Sequence, residues 1–407
     1  MEVKRRNTLF AFAAALLFIL LGSANAYAPD IVNQWQEPAV AGNERADSNN
    51  PKLIIDGETI DLGSLLNSEI PLHNGQASGV LQGSTVEINS QEKRLHIILN
   101  DSAISMQFMN TAVDKTESSF RLRPSNLAQA ALVITAPQVD VIANSQVDLI
   151  TEGPGEKQVC FIMDLKDQNG KIAIGNMRRV SFPGKIAGFV FLVNDQNRLG
   201  ENYIPENLIP IPREVQANQS KADMQLVEEA VNGLAKMMEQ AKRDGVGGFI
   251  LTSTYRPYSY QSMLFNRKIK QVGSEEKAAQ IVARPGTSEH QSGLAIDFST
   301  NGTLSDNFAN TPQGNWLRQN AWKYGFILRY PADKTGITKI IYEPWHYRYV
   351  GYPYSKIMYD RNICLEEFYT NMNKYGFYAV ADSNHVYLAI LNQRDQKIYL
   401  SEPVPRG

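Results

Sequence analysis

Residues 288–298 read SEHQSGLAIDF, a stretch that places a histidine and an aspartate seven residues apart. The Ser292-Gly293 pair between them predicts a bend, which would turn Asp297 toward the point that His290 faces. Asp297 lies inside an apolar run, where an acid costs folding free energy unless it is paired or bound to a metal. The stretch therefore predicts a bend followed by a short strand that carries a buried, metal-binding carboxylate.

A second segment, EPWH at residues 343–346, adds a histidine beside another acid. A catalytic zinc takes three protein ligands from His, Asp and Glu and keeps one position open for water, and His290, Asp297 and His346 would supply that set. Glu343 is placed to act as the general base that a metallohydrolase needs in addition to its ligands. The proline of this segment disfavours a helix, so the pattern differs from a helical H-E-x-x-H site. On spacing alone, two structural histidines in unrelated loops remain an alternative.

The composition is that of a globular protein. The chain has 407 residues, enough for two or three domains of about 100–200 residues each. With 43% hydrophobic and 20% charged residues, disordered and fibrous classes are excluded for the bulk of the chain. The 40 basic residues are matched by 42 acidic ones, which argues against nucleic acid as a partner. Two cysteines and five histidines exclude a Cys-rich zinc module and a disulfide scaffold, so the chemistry must come from histidines and carboxylates.

The N-terminus indicates export. A basic cluster at residues 4–6, an apolar run at 9–21 and an Ala-Asn-Ala motif predict a secretory signal over residues 1–26, with an uncleaved anchor helix as the alternative. Either way we expect the folded part outside the cytoplasm, secreted or at the cell wall, with a membrane as partner only if this segment is uncleaved. Export permits a disulfide between Cys160 and Cys364, but their placement in different predicted domains favours two separate buried thiols.

The remaining chain divides by pattern into four parts. Residues 27–50 are polar without periodicity and predict a linker. Residues 51–190 contain short β-branched runs separated by turn residues, which predicts a β-rich, sandwich-like accessory domain without a catalytic constellation. Residues 191–370 mix helical periodicity with short strands and predict an α+β catalytic domain. Residues 371–407 hold three strand-like runs and predict a tail that packs on the catalytic domain or covers a sheet edge.

Helical periodicity is clearest from Met224 to Ala241, where apolar residues recur at spacings of three and four. This spacing predicts a helix that Ser220 or Asp223 caps and that Gly245 ends. Further helices are expected over residues 258–271, 275–283 and 316–324, and a short buried strand is expected over residues 248–252.

The two chemistry-bearing segments together match the motif pattern of a known family. The motif S-x-H-x-x-G-x-A-x-D at residues 288–297, followed by EPWHYRYVG at residues 343–351, resembles the VanY-type D-alanyl-D-alanine carboxypeptidases. These are zinc peptidases of the LAS group, which also includes vancomycin-resistance dipeptidases and phage L-alanyl-D-glutamate endopeptidases. Upstream, LVN at 192–194 with Y-x-P at 203–205, and TYRP-x-x-x-Q at 254–261, resemble two further motifs of the family.

The resemblance covers only part of the chain. Its four motifs occur in the family's order within residues 190–370, whereas residues 27–185 show no such resemblance. One departure is Asp195, where the family often carries lysine after Leu-Val-Asn. This difference lies in the upstream segment and affects none of the expected metal ligands.

The resemblance implies a role for each matching residue. The expected zinc ligands are His290, Asp297 and His346. Glu343 would activate the attacking water, and Arg256 would stabilise the developing oxyanion. The positions expected to contact the peptide substrate are Ser288, Gln261, Tyr255 and Trp345, with simple core packing as the alternative for Trp345. The implied activity is that of a secreted zinc enzyme that removes the terminal D-alanine from peptidoglycan stem peptides.

Other functions stay open at this point. A related L,D-carboxypeptidase or endopeptidase would share the motifs and differ in its pocket walls. A serine penicillin-binding peptidase would use S-x-x-K, S-D-N and K-T-G, which occur at residues 274–277, 305–307 and 334–336. Ser274 is expected to open an exposed capping turn, however, and the three motifs lie too close together for that fold. A wall-binding protein with a degenerate site is disfavoured because every expected ligand and the base are present.

Overall fold

The structure is a computed structural model that describes the chain from residue 51 to residue 406. The description omits residues 56–57, 68–69, 72–79, 82–83, 90–92, 100–101, 116–118, 137–138, 144–145, 151–156, 169–170, 181, 183–187, 216 and 393–394. The predicted signal and linker, residues 1–50, therefore lie outside the described residues. Within the described ranges, no helix combines the length and the apolar character that crossing a membrane requires.

The first part of the described chain is built from strands. They are β1 (Lys52–Ile55), β2 (Glu58–Asp61), β3 (Ile70–Pro71), β4 (Val80–Leu81), β5 (Ser84–Asn89), β6 (Arg94–Leu99), β7 (Ser102–Lys115), β8 (Ser119–Ala136), β9 (Val139–Ala143), β10 (Gln146–Ile150), β11 (Lys157–Gln168) and β12 (Lys171–Arg179), with the short helix α1 (Leu62–Asn67) after β2. One antiparallel sheet has the order β10-β9-β1-β2, and the other has the order β12-β11-β8-β7-β6-β5-β4 with β3 beside β8. Apolar side chains of both sheets and of α1 share one core. The sandwich-like accessory domain itself stays a prediction.

The second part mixes helices and strands, in agreement with the predicted α+β class. Its strands are β13 (Leu208–Pro210), β14 (Asn218–Gln219), β15 (Gln225–Val227), β16 (Ile250–Ser253), β17 (Ala295–Ser299), β18 (Phe326–Leu328) and β19 (His346–Tyr349). Its helices are α2 (Glu228–Arg243), α3 (Tyr258–Val272), α4 (Glu275–Ala279), α5 (Pro312–Asn320), α6 (Thr335–Thr338), α7 (Tyr354–Arg361) and α8 (Leu365–Tyr375). The main sheet has the order β14-β16-β17-β19-β18, and the apolar stripe of α2 shares a core with it. β17 is the central strand of this order, and all five of its residues are buried.

The start of α2 differs from the prediction. The periodic residues begin at Met224, but the helix begins at Glu228, and neither predicted side chain caps it. Residues 225–227 instead form β15, which pairs with β13, and the Val227 amide donates to the Gly293 carbonyl at 2.9 Å. These backbone partners lie far away in sequence, so the local apolar spacing does not reveal them.

The C-terminal segment forms a sheet of its own. Its strands are β20 (Phe377–Ala381), β21 (His385–Leu391), β22 (Ile398–Leu400) and β23 (Val404–Pro405), and all pairings are antiparallel. Each of the three predicted strand-like runs corresponds to one of the first three strands. Successive side chains of a strand point to opposite faces, and here both faces are buried. Tyr378, Val380, Ala389 and Leu391 pack with α7 and α8, whereas Phe377, Ala379, Val386, Leu388 and Ile390 pack with β7, β8 and β11.

Two polar side chains from β6 and β7 form hydrogen bonds with the edge strand β20 of this C-terminal sheet. Gln107 of β7 donates through Nε2 to the Ala379 carbonyl at 3.1 Å and accepts from the Ala379 amide at 2.7 Å through Oε1. The side-chain amide of Gln107 therefore makes the two backbone hydrogen bonds that a neighbouring strand would otherwise make. Arg94 of β6 donates to the Phe377 carbonyl at 2.6 Å and lies over the Phe377 ring.

Both cysteines are free and buried. Cys160 lies in the core between β11 and the C-terminal sheet, whereas Cys364 directly precedes α8. Burial raises the pKa of each thiol to about 12. The two thiols therefore stay protonated near neutral pH, as expected for inert structural cysteines.

Candidate active site

The central sheet brings two of the predicted metal ligands together. Asp297 of β17 and His346 of β19 are directly opposed in the antiparallel ladder. Opposed residues point to the same face, so their side chains meet there. The distance between Asp297 Oδ1 and His346 Nδ1 is 3.0 Å, and both side chains are buried. Strand register thus joins residues that lie 49 positions apart.

The third predicted ligand comes from the turn before β17. His290 lies in a short 3₁₀ helix, Glu289–Ser292, which Gly293 ends with a φ of +68°. Gly293 thereby forms the predicted bend, in a backbone conformation that favours glycine. His290 Nε2 lies 3.2 Å from Asp297 Oδ2, and ligand atoms of His290, Asp297 and His346 all lie within 4.8 Å of one another. The three predicted ligands therefore converge on one point.

The ring of His290 has a defined orientation. Its Nδ1 lies 2.7 Å from the Thr254 carbonyl, which can only accept, so Nδ1 donates and Nε2 is left to face Asp297. Burial and the nearby Arg256 lower the pKa of His290 to about 4. A neutral imidazole with a free Nε2 is the form that binds a metal.

The donor set fits zinc. Two imidazoles and one carboxylate that leave a further position open are the ligands of a catalytic zinc site. Burial opposes the charge of Asp297, but the adjacent His290 and His346 hold the pKa of this carboxyl well below its usual range. The carboxylate is therefore ionised, and a divalent cation would offset its burial.

Glu343 lies beside the three ligands. Its Oε2 is 3.7 Å from His346 Nδ1, and its side chain is 18% exposed. Backbone hydrogen bonds from the Glu343 amide to Tyr330 and from the His346 amide to Glu343 hold a turn here, so the expected absence of a helix is confirmed. Burial raises the pKa of Glu343 to about 7. A carboxyl group that titrates near neutrality is suited to accept a proton and return it.

Arg256 borders the same point from the loop between β16 and α3. Its backbone amide donates to the His290 carbonyl at 3.1 Å, and its Nη2 donates to the Ser288 hydroxyl at 3.3 Å. Within the described structure its buried Nε has no hydrogen-bond partner. Burial lowers the pKa of Arg256. An arginine nevertheless stays charged in proteins, so it offers a fixed cation with a free donor.

The predicted substrate residues occupy different surroundings. Ser288 is buried against Arg256. Gln261 is also buried, and its Nε2 donates to the Ala283 carbonyl at 2.7 Å, which ties α3 to the loop after α4. Tyr255 is half-buried next to Arg256 in the chain, and Trp345 is half-buried against the hydrophobic core that α2 shares with the main sheet. The substrate-contacting roles of these four side chains stay predictions.

Sequence reasoning missed a buried ionic cluster behind the ligands. Glu289 Oε1 accepts from Arg329 Nε at 2.8 Å and lies 2.9 Å from Arg348 Nη1. All three side chains are at most 1% exposed. Arg348 lies in β19, whose residues read His-Tyr-Arg-Tyr, so it does not stand out as a charge within an apolar run, and no local signal in the sequence points to this cluster.

Comparisons with known proteins identify relatives of the region that holds this site. Residues 223–352 match the sequence model of the VanY family, described as D-alanyl-D-alanine carboxypeptidase. The bifunctional D-Ala-D-Ala dipeptidase and D-Ala-D-Ala carboxypeptidase VanXYC of Enterococcus gallinarum is 37% identical over 185 residues, which cover 44% of this chain and 92% of that protein.

Two solved structures are also similar. The LdcB LD-carboxypeptidase is 38% identical, and the match covers 51% of this chain and 94% of that one with a TM-score of 0.42. A variant of the vancomycin-resistance D,D-pentapeptidase VanY, in complex with Zn(II), is 34% identical over 44% of this chain and 98% of that one, with a TM-score of 0.37.

Proposed function

Because this chain belongs to the VanY family of D-alanyl-D-alanine carboxypeptidases, we propose that it is a zinc enzyme that removes the terminal D-alanine from peptidoglycan stem peptides. The observation that carries the proposal is the convergence of His290, Asp297 and His346 beside Glu343. All four residues lie within the matched range of the family.

The chain's own residues account for the proton transfers of this hydrolysis. Zinc held by the three ligands would act as a Lewis acid and lower the pKa of a water molecule. Glu343 accepts the proton of the attacking water as its oxygen bonds to the scissile carbonyl carbon. When the carbon–nitrogen bond breaks, Glu343 returns this proton to the leaving amine of D-alanine. Arg256, held by Ser288, donates to the carbonyl oxygen as negative charge develops on it.

The scissile bond is tested by digestion of purified muropeptides and mass spectrometry of the products. Loss of one alanine from a pentapeptide stem, with a tetrapeptide stem left intact, is the expected result. Release of alanine from the tetrapeptide would instead identify an L,D-carboxypeptidase, and cleavage inside the stem would identify an endopeptidase. The Glu343→Ala variant serves as the inactive control.

Metal removal separates the zinc mechanism from a serine mechanism. We expect a chelator to abolish the activity and added zinc to restore it, whereas labelled penicillin leaves the protein unacylated. Ser274, the nucleophile that the serine mechanism would need, caps the short helix α4, where its hydroxyl accepts from the Lys277 amide at 3.3 Å. Activity that survives chelation, together with acylation by penicillin, would overturn the proposal.

The compartment is part of the proposal, because the substrate lies outside the cytoplasm. The basic and apolar pattern over residues 1–26 supports export. Cell fractionation followed by N-terminal sequencing of the mature protein tests this point. A chain found only in the cytoplasm would contradict it.

A further inference from the structure

Three buried charged side chains behind the candidate ligands have no part in the mechanism above. Glu289 uses one carboxylate oxygen, Oε1, for Arg329 Nε at 2.8 Å and for Arg348 Nη1 at 2.9 Å. Its other oxygen, Oε2, lies 3.4 Å from His346 Nε2. His346 therefore has carboxylates on both sides, Glu289 at Nε2 and Asp297 at Nδ1.

The two arginines determine what Glu289 can do. A carboxylate paired with two guanidinium groups is ionised and can only accept hydrogen bonds. The ring nitrogen that faces it, His346 Nε2, must therefore carry the hydrogen. Asp297 is ionised as well and faces Nδ1 at 3.0 Å, so a neutral ring gives up one of these two hydrogens. Nδ1 is the nitrogen that faces the centre of the ligand set, where a metal would take the place of the hydrogen, so the lone pair lies on Nδ1.

We propose that Glu289 is a positioning residue that fixes His346 in the tautomer with hydrogen on Nε2, so that Nδ1 binds the metal. A second carboxylate that orients a ligating histidine is a recurrent device of metal sites. The inference rests on the proposed zinc function and adds a residue whose task is to orient one ligand.

His290 is oriented by a different device. The Thr254 carbonyl accepts from His290 Nδ1, so this ring presents Nε2 to the ligand set. The two ligating histidines therefore carry their hydrogens on opposite nitrogens. This asymmetry can be measured directly.

The positioning extends to the C-terminal helix. Arg329 is held on its far side by Glu366 of α8, through Nη1–Oε2 at 2.8 Å and Nη2–Oε1 at 2.6 Å. A paired, two-point contact of this kind fixes the plane of the guanidinium group. Glu366 lies outside residues 223–352, the range that matches the family. A residue beyond the matched range therefore helps to hold Glu289, and through it His346.

The first test is ¹⁵N NMR of the histidine rings in the zinc-loaded wild-type protein. Two of the five histidines should respond to zinc, one with hydrogen on Nε2 and the other with hydrogen on Nδ1. Hydrogen on Nδ1 in both zinc-bound rings would reject the inference and leave the zinc function intact. A wild-type protein that binds no zinc would instead reject the proposed function.

The second test compares zinc dissociation constants, measured by competition with a chelator. Glu289→Gln should weaken zinc binding by about 10- to 100-fold. Glu366→Gln should weaken it by about tenfold, the lower end of that range, because Arg329 still pairs with Glu289. Glu367→Gln is the matched control: it lies in the same helical turn and pairs with Lys334 at 3.0 Å, but does not contact Arg329, so its constant should be unchanged.

Folding is checked for each variant by circular dichroism and thermal unfolding. If Glu289→Gln fails to fold because two buried arginines lose the negative charge of their shared carboxylate, the zinc affinity of Glu366→Gln and the tautomers of the wild-type protein test the inference instead. A folded Glu366→Gln protein that melts at a lower temperature but binds zinc as tightly as wild type would show that this contact is only structural. Unchanged zinc affinity in a folded Glu289→Gln protein would overturn the inference.

Discussion

We expect replacement of Glu343 to separate metal binding from turnover. It lies beside the ligand set without belonging to it, so Glu343→Gln should keep zinc bound and lower kcat by about 10²- to 10⁴-fold. Metal content and product release are measured on the same preparation. Glu239→Gln, a change to an exposed carboxylate on α2, is the control and should keep full activity. Turnover close to wild type in the Glu343 variant would remove the assignment of the general base.

Arg256 is expected to act on the transition state. Its free, buried donor is aimed at no protein group in the described structure, so Arg256→Ala should lower kcat by about 10²- to 10³-fold. Initial rates over a range of substrate concentrations separate kcat from KM. A rise in KM with an unchanged kcat would mean that Arg256 holds the substrate and does not stabilise the oxyanion.

Some residues of the candidate site can be recognised from the sequence, and others cannot. His290 and Asp297 are close in the chain, and the glycine bend between them can be recognised from the sequence. Glu289 is adjacent to His290, yet its partners Arg329 and Arg348 lie 40 and 59 positions away, and no local pattern specifies them. Their pairing depends on the register of β18 and β19, which only the folded sheet sets.

The bend before β17 carries a prediction for a whole element. Gly293→Ala would put a Cβ at a φ of +68° and about 3.1 Å from side chains of Leu208 and Pro205. We expect a loss of about 1–2 kcal/mol in the free energy of unfolding. Zinc affinity should fall as well, because the bend sets the approach of His290 to Asp297. Urea unfolding and zinc titration measure the two effects.

A matched control distinguishes the effect of the bend from the effect of any glycine-to-alanine change. Gly247 has open space where a Cβ would stand, so Gly247→Ala should leave both quantities within error of wild type. Equal behaviour of the two variants would contradict the role of the bend.

Local pattern locates several elements without fixing their ends. The helix expected over residues 316–324 begins at Pro312 and its α-helical part ends at Asn320, and the helix expected over residues 275–283 ends at Ala279. Helix α3 and strands β20 to β22 lie close to where periodicity and alternation predict them. The start of α2 lies away from its predicted position, because residues 225–227 pair with β13 as a strand and the helix begins after them. Short edge strands of this kind carry little signal of their own, since two or three residues show no reliable alternation.

At the scale of the whole molecule, the C-terminal sheet joins two cores. Leu388 lies on the face that packs with β7, β8 and β11 and is fully buried. Leu388→Ala should cost about 2–5 kcal/mol and shift the unfolding of both parts of the chain together. Calorimetry tests this, with Ile337→Ala at an exposed position as the control. A shift confined to one of two separate transitions would show that the two parts unfold independently.

The contact between Arg329 and Glu366 also has a consequence for the candidate site during synthesis of the chain. A nascent chain presents His290, Asp297 and His346 before the residues of α8 and the C-terminal sheet have been translated. At that stage Arg329 lacks its outer carboxylate, and the apolar faces beneath the sheet are uncovered. An incomplete chain therefore carries the three candidate ligands while the support behind them is unfinished, and we expect it to bind zinc less tightly than the full chain.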